Sequence, residues 1–172
     1  MTFTDTLTKL FVENSNTDNA FHMKSYMKDK FEFFGIKTTL RRQLLKAAIQ
    51  QHSSEIKLQT RQITLDLFKL EQREHHMCAI EIFHKYLKNK FEKRDIELIE
   101  KLIATNSWWD SVDFIAKQIL GNYLLQYKDD TNSIIERFSN SENMWLNRSA
   151  IIFQLGYKEQ TNKALLYKQC LI

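Results

Sequence analysis

Apolar side chains recur every three or four residues along almost the whole chain, the period of an α-helix with one buried face. Phe3, Leu7 and Leu10 share the first such face, closed by the polar stretch Asn14 to Thr17. Ala20, Met23, Met27, Phe31 and Phe34 predict a second helix, stopped at Gly35 as its C-cap. A third, capped by Thr38 or Thr39, carries Leu44, Leu45, Ala48 and Ile49. After a break at His52 to Ser54, Ile56, Ile63, Leu67 and Leu70 mark a fourth. Ile80, Phe83 and Leu87 mark a fifth, and Ile96, Ile99 and Ile103 a sixth. Ser107 opens a seventh bearing Trp108, Val112, Ile115 and Ile119. Ile134, Ile135 and Phe138 mark an eighth, Trp145, Leu146, Ala150 and Phe153 a ninth, and Leu165, Leu166 and Cys170 a tenth.

Helix pairs therefore begin near residues 3, 38, 71, 107 and 141, at intervals of 35, 33, 36 and 34. A near-constant period of this size signals a helical-hairpin solenoid, in which each pair buries its stripe against its neighbours. The repeats share no visible sequence similarity, so an irregular bundle is the alternative. The expectation is an all-α fold, an α-solenoid of about five antiparallel helix pairs, forming a single domain over residues 1–172. The last residues, Tyr167 to Ile172, stop inside an apolar helix with no polar capping repeat after them. The expectation there is that C-terminal repeats are missing or that another copy covers the end, with Leu165, Leu166, Leu171 and Ile172 packed on the preceding helix.

Composition sharpens this picture. There is no proline and only three glycines, which excludes turn-rich β folds and any Gly-rich phosphate loop. A hydrophobic content of 43% with 12% aromatics is enough for a core. The net charge of +4 permits nucleic-acid binding without requiring it. The tightest basic cluster, Lys85, Lys88, Lys90, Lys93 and Arg94, reads first as a solvated helix end. Cys78 and Cys170 form no CxxC, consistent with a reduced, cytoplasmic protein. No secretory signal opens the chain, and no apolar run approaches the ~20 residues that span a bilayer.

His75, His76 and Cys78 lack the spacing of a metal site, so no metal is expected. No recognisable Ser/His or Cys/His nucleophile motif exists either. The segment Ser107 to Asp113 is more informative. Ser107 and Asp110 fit an Asp variant of a capping box, and Trp108 lies on the core stripe. Trp109 and Asp113 stand four residues apart and share a different face, an aromatic beside a carboxylate with no packing role. Arg148 lies off its own helix's stripe, one repeat further on, where it could pair with Asp113 or clamp a phosphate.

Four stretches carry a resemblance: Tyr26 to Thr38, Arg41 to Lys46, Thr105 to Asp113, and Trp145 to Leu155. In this order they resemble the AlkD-like DNA alkylation repair glycosylases, all-helical HEAT-like solenoids. The Ser-Trp-Trp-Asp-x-Val-Asp motif ending at Asp113 is the specific one. The resemblance implies a monofunctional glycosylase that excises positively charged alkylated bases, such as 3-methyladenine and 7-methylguanine, from duplex DNA. It implies no cofactor and no base-flipping pocket, with the backbone held along a concave face. By position, Asp113 resembles the catalytic carboxylate, Trp109 its neighbour, and Arg148 a backbone contact. Tyr26, Lys37, Thr38 and Arg42 fall where the family contacts DNA. The chain departs from the family at Thr39, where proline is frequent, and in lacking the family's further repeats with another DNA-facing Trp.

The chemistry agrees with the residues. A cationic alkylpurine leaves as a neutral base, so the demand falls on the oxocarbenium-like C1′, which a carboxylate and an indole face both favour. The alternative is a non-catalytic helical-repeat module binding DNA backbone or a protein partner. With either function, self-association through the open C-terminal end is a further expectation.

Overall fold

The computed structural model describes residues 1–171. They are all-α as expected, with one isolated parallel bridge between Glu32 and Gln72 as the exception among them. The chain divides into two compact units, Met1–Tyr86 and Leu87–Ile172. Helices begin at Phe3, Thr38, Arg73, Trp109 and Met144, each 35 or 36 residues after the last, so the expected period is present and more regular than its sequence markers.

In the first unit, α1 (Phe3–Glu13) packs against α3 (Thr38–Gln51) and α4 (Ser53–Phe68) through Phe3, Leu7 and Phe11, all fully buried. A capping box between Thr2 and Asp5 starts α1. The α4 backbone kinks at Gln59, just before Thr60 turns its hydroxyl back onto the Ile56 carbonyl. Thr38 and Thr39 do not cap α3; its N-cap is Lys37, without a side-chain bond.

The second helix differs most from expectation. α2 (Thr17–Tyr26) ends nine residues before Gly35, at a turn where Lys28 and Asp29 take positive φ. Phe31 and Phe34 therefore sit on an extended strap that enters α3 rather than on a helix. The reason lies at long range. Glu74, on α5 (Arg73–Leu87), is almost completely buried, and its carboxylate accepts the backbone N–H groups of Phe34 (3.1 Å), Gly35 (2.9 Å) and Ile36 (3.0 Å). Those donors are satisfied without a helix, and Arg73 stacks 4.0 Å above the Phe31 ring. Gly35 is not a C-cap: at φ +82° it lets the strap pass Asn16, whose carbonyl oxygen would lie 2.0 Å from any Cβ.

In the second unit, α6 (Asp95–Ala104) and α10 (Met144–Ile152) pack on one long helical run, and α9 (Thr131–Ser139) packs on α10. That run comprises α7 (Trp109–Phe114), a π-helical segment (Ile115–Leu120) and α8 (Gly121–Gln126). Gly121 donates its N–H five residues back, to the Ala116 carbonyl. The segment from Phe153 crosses Gly121 so closely that a Cβ there would stand 2.6 Å from the Phe153 carbonyl oxygen. Tyr157 seals the crossing by donating its hydroxyl to the Gly121 carbonyl (2.6 Å). On α11 (Lys163–Cys170), Leu165 and Leu166 are half-buried and Gln169 bonds Ser139. Leu171, expected to pack inward, is 87% exposed, and Ile172 lies outside the described residues.

Candidate active site

Two elements of the second unit build the site. α7 presents Trp109 and Asp113 one turn apart, while Val112 on its inner side and Ile115, which opens the π-helical segment, are fully buried and fix the helix rotation. The expected Ser107–Asp110 capping box is absent. Ser107 instead donates back to the Ile103 carbonyl (2.6 Å), Trp108 is the N-cap, and Asp110 accepts from the Ser111 N–H (2.8 Å). Local hydrogen bonding thus extends the turn after α6 and starts α7 one residue late.

α10 supplies the other half. Asn143 caps it by accepting the Trp145 N–H (2.9 Å). Asn147 ties its first turn down by donating to the Phe138, Ser139 and Ser141 carbonyls. Leu146 and Ala150 are buried, and Trp145 tilts against Trp108 with ring centroids 5.8 Å apart. This packing leaves Arg148 outward and opposite Asp113.

The two side chains meet as a fork. Arg148 Nε donates to one Asp113 oxygen at 2.6 Å and Nη2 to the other at 2.8 Å. Their side chains are 43% and 36% exposed, so the pair adds on the order of 0–1 kcal/mol to stability, and its value is geometric. The carboxylate raises the Arg148 pKa, chiefly through this hydrogen bond. Trp109, 43% exposed, stands four residues before Asp113, on the same face of α7. The arrangement therefore offers a fixed negative charge, an accessible aromatic and a guanidinium whose Nη1 is left over from the fork. Among the described residues, no cluster of His, Cys, Asp and Glu is arranged to hold a metal ion.

The other candidates lie in the first unit. Tyr26, at the end of α2, is 68% exposed, and Lys37 and Thr38 are exposed where the strap enters α3. Arg42 is exposed too, and its Nε donates to Glu81 at 3.2 Å. His75 is buried between Phe11 and Phe34, its Nε2 bonded to Thr8 at 3.0 Å, and His76 bonds the Leu70 carbonyl, so both serve the core. Burial pushes the Cys78 thiol up to about 12, beside Arg41 at 3.5 Å. Sequence reasoning missed Glu81 and Glu74, whose partners lie some forty residues away and leave no local signal.

A family model described as DNA alkylation repair enzyme matches residues 7–171. A solved structure of a predicted DNA alkylation repair enzyme from Enterococcus faecalis is similar, with 28% identity and a TM-score of 0.80. The match covers 91% of this chain and 73% of that one. No curated protein matches the chain.

Proposed function

The chain belongs to the DNA alkylation repair enzyme family, and we propose that within it this protein is a DNA glycosylase excising positively charged alkylated purines from duplex DNA. The observation that carries the reading is the Asp113–Arg148 fork with Trp109 alongside.

A purine methylated at N3 or N7 carries a formal positive charge. When its N-glycosidic bond breaks, the bonding pair returns to the base, which leaves neutral and needs no general acid. Positive charge accumulates instead on C1′ and the ring oxygen of the sugar. Water then adds at C1′ and gives up a proton to solvent, leaving an abasic site.

Asp113 opposes the charge at C1′, and Trp109 offers its negative ring face to the same cationic sugar. Alone, Arg148 would cancel much of that field. A backbone phosphate on Arg148 Nη1 restores it, because phosphate, guanidinium and carboxylate together sum to one negative charge. DNA docking and electrostatic assembly of the site are thereby one event, and helical repeats would hold the backbone without a pocket for the base.

A purely structural ion pair is the second reading, favoured by the carboxylate's engagement at both oxygens. The test is release of 7-methylguanine from methylated duplex DNA, together with the salt dependence of binding. Release by the wild type supports the glycosylase. Arg148→Ala is expected to flatten the slope of log K against log[salt] by about 0.9, one phosphate contact. Tight duplex binding with no base release would favour a binding module.

A further inference from the structure

The Asp113–Arg148 fork joins two helices through residues 35 apart in sequence, and it closes at 2.6 and 2.8 Å. Both side chains reach solvent, and a surface ion pair of this kind is too weak to hold two helices in register. A bidentate fork also tolerates little error, because two parallel N–H groups must meet two oxygens at once. The register therefore comes from packing on either side of the fork.

Two contacts supply it. Beyond the fork, the crossing at Gly121 pins the chain that follows α10, with the Tyr157 hydroxyl on the Gly121 carbonyl at 2.6 Å. Before the fork stands the Trp108–Trp145 pair, its ring planes inclined at 55° and its centroids 5.8 Å apart. Trp108 is the N-cap of α7 and precedes Asp113 by five residues. Trp145, in the first turn of α10, precedes Arg148 by three, about 4.5 Å along the axis. Residues three apart are neighbours on a helix surface, so the Trp145 ring and the Arg148 guanidinium leave α10 on the same side. Asn147, which also holds this turn, bonds carbonyls at and after the end of α9 rather than on α7.

We propose that Trp145 is a positioning residue: its ring, seated on Trp108, sets the spacing of α7 and α10 and so holds Arg148 and the Asp113 carboxylate in the geometry that base excision uses. The assignment rests on the reading of Asp113 as the carboxylate that opposes charge at C1′. Such stabilisation depends on placement, and a displacement of about 1 Å can cost about 10²-fold in rate. The ring acts through the fork and touches neither the DNA nor the reacting atoms.

The test compares Trp145→Leu, which loses the ring, with Trp145→Phe, which keeps a smaller one, both in the full chain. Three quantities are read: single-turnover release of 7-methylguanine, anisotropy of an undamaged duplex, and the ¹⁵N–¹H signal of the Arg148 Nε–H, assigned by its loss in Arg148→Lys. Trp145→Leu should release base about 10–10² times more slowly, with duplex affinity near wild type and the Arg148 signal shifted and faster in exchange with water. Trp145→Phe should fall between wild type and Trp145→Leu in rate and in signal. In an Arg148→Ala background, Trp145→Leu should lower the rate no further, because both changes break one unit. An unmoved Arg148 signal, an undiminished rate, or a loss that adds in full to that of Arg148→Ala overturns the proposal. Affinity that falls in step with rate makes Trp145 a DNA contact and overturns it too. Where Trp145→Leu does not fold, a Trp145→Phe identical with wild type in rate and signal overturns it instead. Wild type that releases no base, while the Arg148 signal moves as expected, defeats the glycosylase reading and leaves Trp145 setting the fork.

Discussion

Glu74→Gln is the most demanding perturbation of the fold, because it alters one atom of a carboxylate that three backbone donors share. Oε1 accepts from Gly35 and Ile36, and Oε2 from Phe34. Glutamine can keep the first oxygen but must set an NH2 group against the Phe34 N–H. Hydrogen bonds to a charged group are worth about 1.5–3 kcal/mol and neutral ones about 0.5–1.5, so the two surviving bonds lose about 1 kcal/mol each. The Phe34 donor, opposed by another donor in a part-buried site, costs about 1–3 kcal/mol more. The expected loss is about 3–5 kcal/mol, a large share of the about 5–15 kcal/mol of an ordinary domain. Urea denaturation followed by circular dichroism measures it, with exposed Glu71→Gln as a control expected within about 0.5 kcal/mol. A loss under about 1 kcal/mol would refute the idea that this carboxylate holds the strap.

Gly121→Ala should destabilise by about 1–3 kcal/mol, since its Cβ would meet a backbone oxygen at 2.6 Å that cannot swing away. Gly156→Ala, whose nearest neighbour is the flexible Lys117 side chain at 3.9 Å, should change the melting temperature little, and equal effects would contradict the crossing described. Burial first, and then the neighbouring His76, lowers His75 to about 4 from an ordinary 6.5. The unfolded chain then binds the proton that the folded one refuses, so stability is complete above pH 6.5 and falls as pH drops from there towards 4. The share from this residue between pH 7 and pH 5 is about 2 kcal/mol. His75→Gln should remove that part of the pH dependence, and an unchanged profile would contradict it.

The helical period was legible because burial selects one face of each helix, and Phe3, Leu7, Val112 and Ile115 all lie where periodicity puts them. Asp113 and Arg148 could be proposed as neighbours because the repeat length carries α7 onto α10. The strap from Phe31 to Ile36 was not legible. Its apolar residues keep a helical spacing, and the carboxylate that overrides it comes from α5. The π-helical segment at Ile115–Leu120 was equally hidden, since a shift from four-residue to five-residue hydrogen bonding leaves the composition unchanged. The failed caps at Thr38 and Ser107 show the same limit: a hydroxyl in the right place can turn back to a carbonyl, as Ser107 does.

Whether the Asp113 carboxylate opposes positive charge at C1′ is read from single-turnover release of 7-methylguanine by Asp113→Asn. The substitution keeps the shape and removes the charge, so the rate should fall by about 10²–10³ while duplex binding changes far less. Asp110→Asn, one turn earlier on α7 and accepting from the Ser111 N–H, should release base at the wild-type rate. Equal release by wild type and Asp113→Asn would remove Asp113 from the chemistry and leave the Asp113–Arg148 fork as an ordinary ion pair.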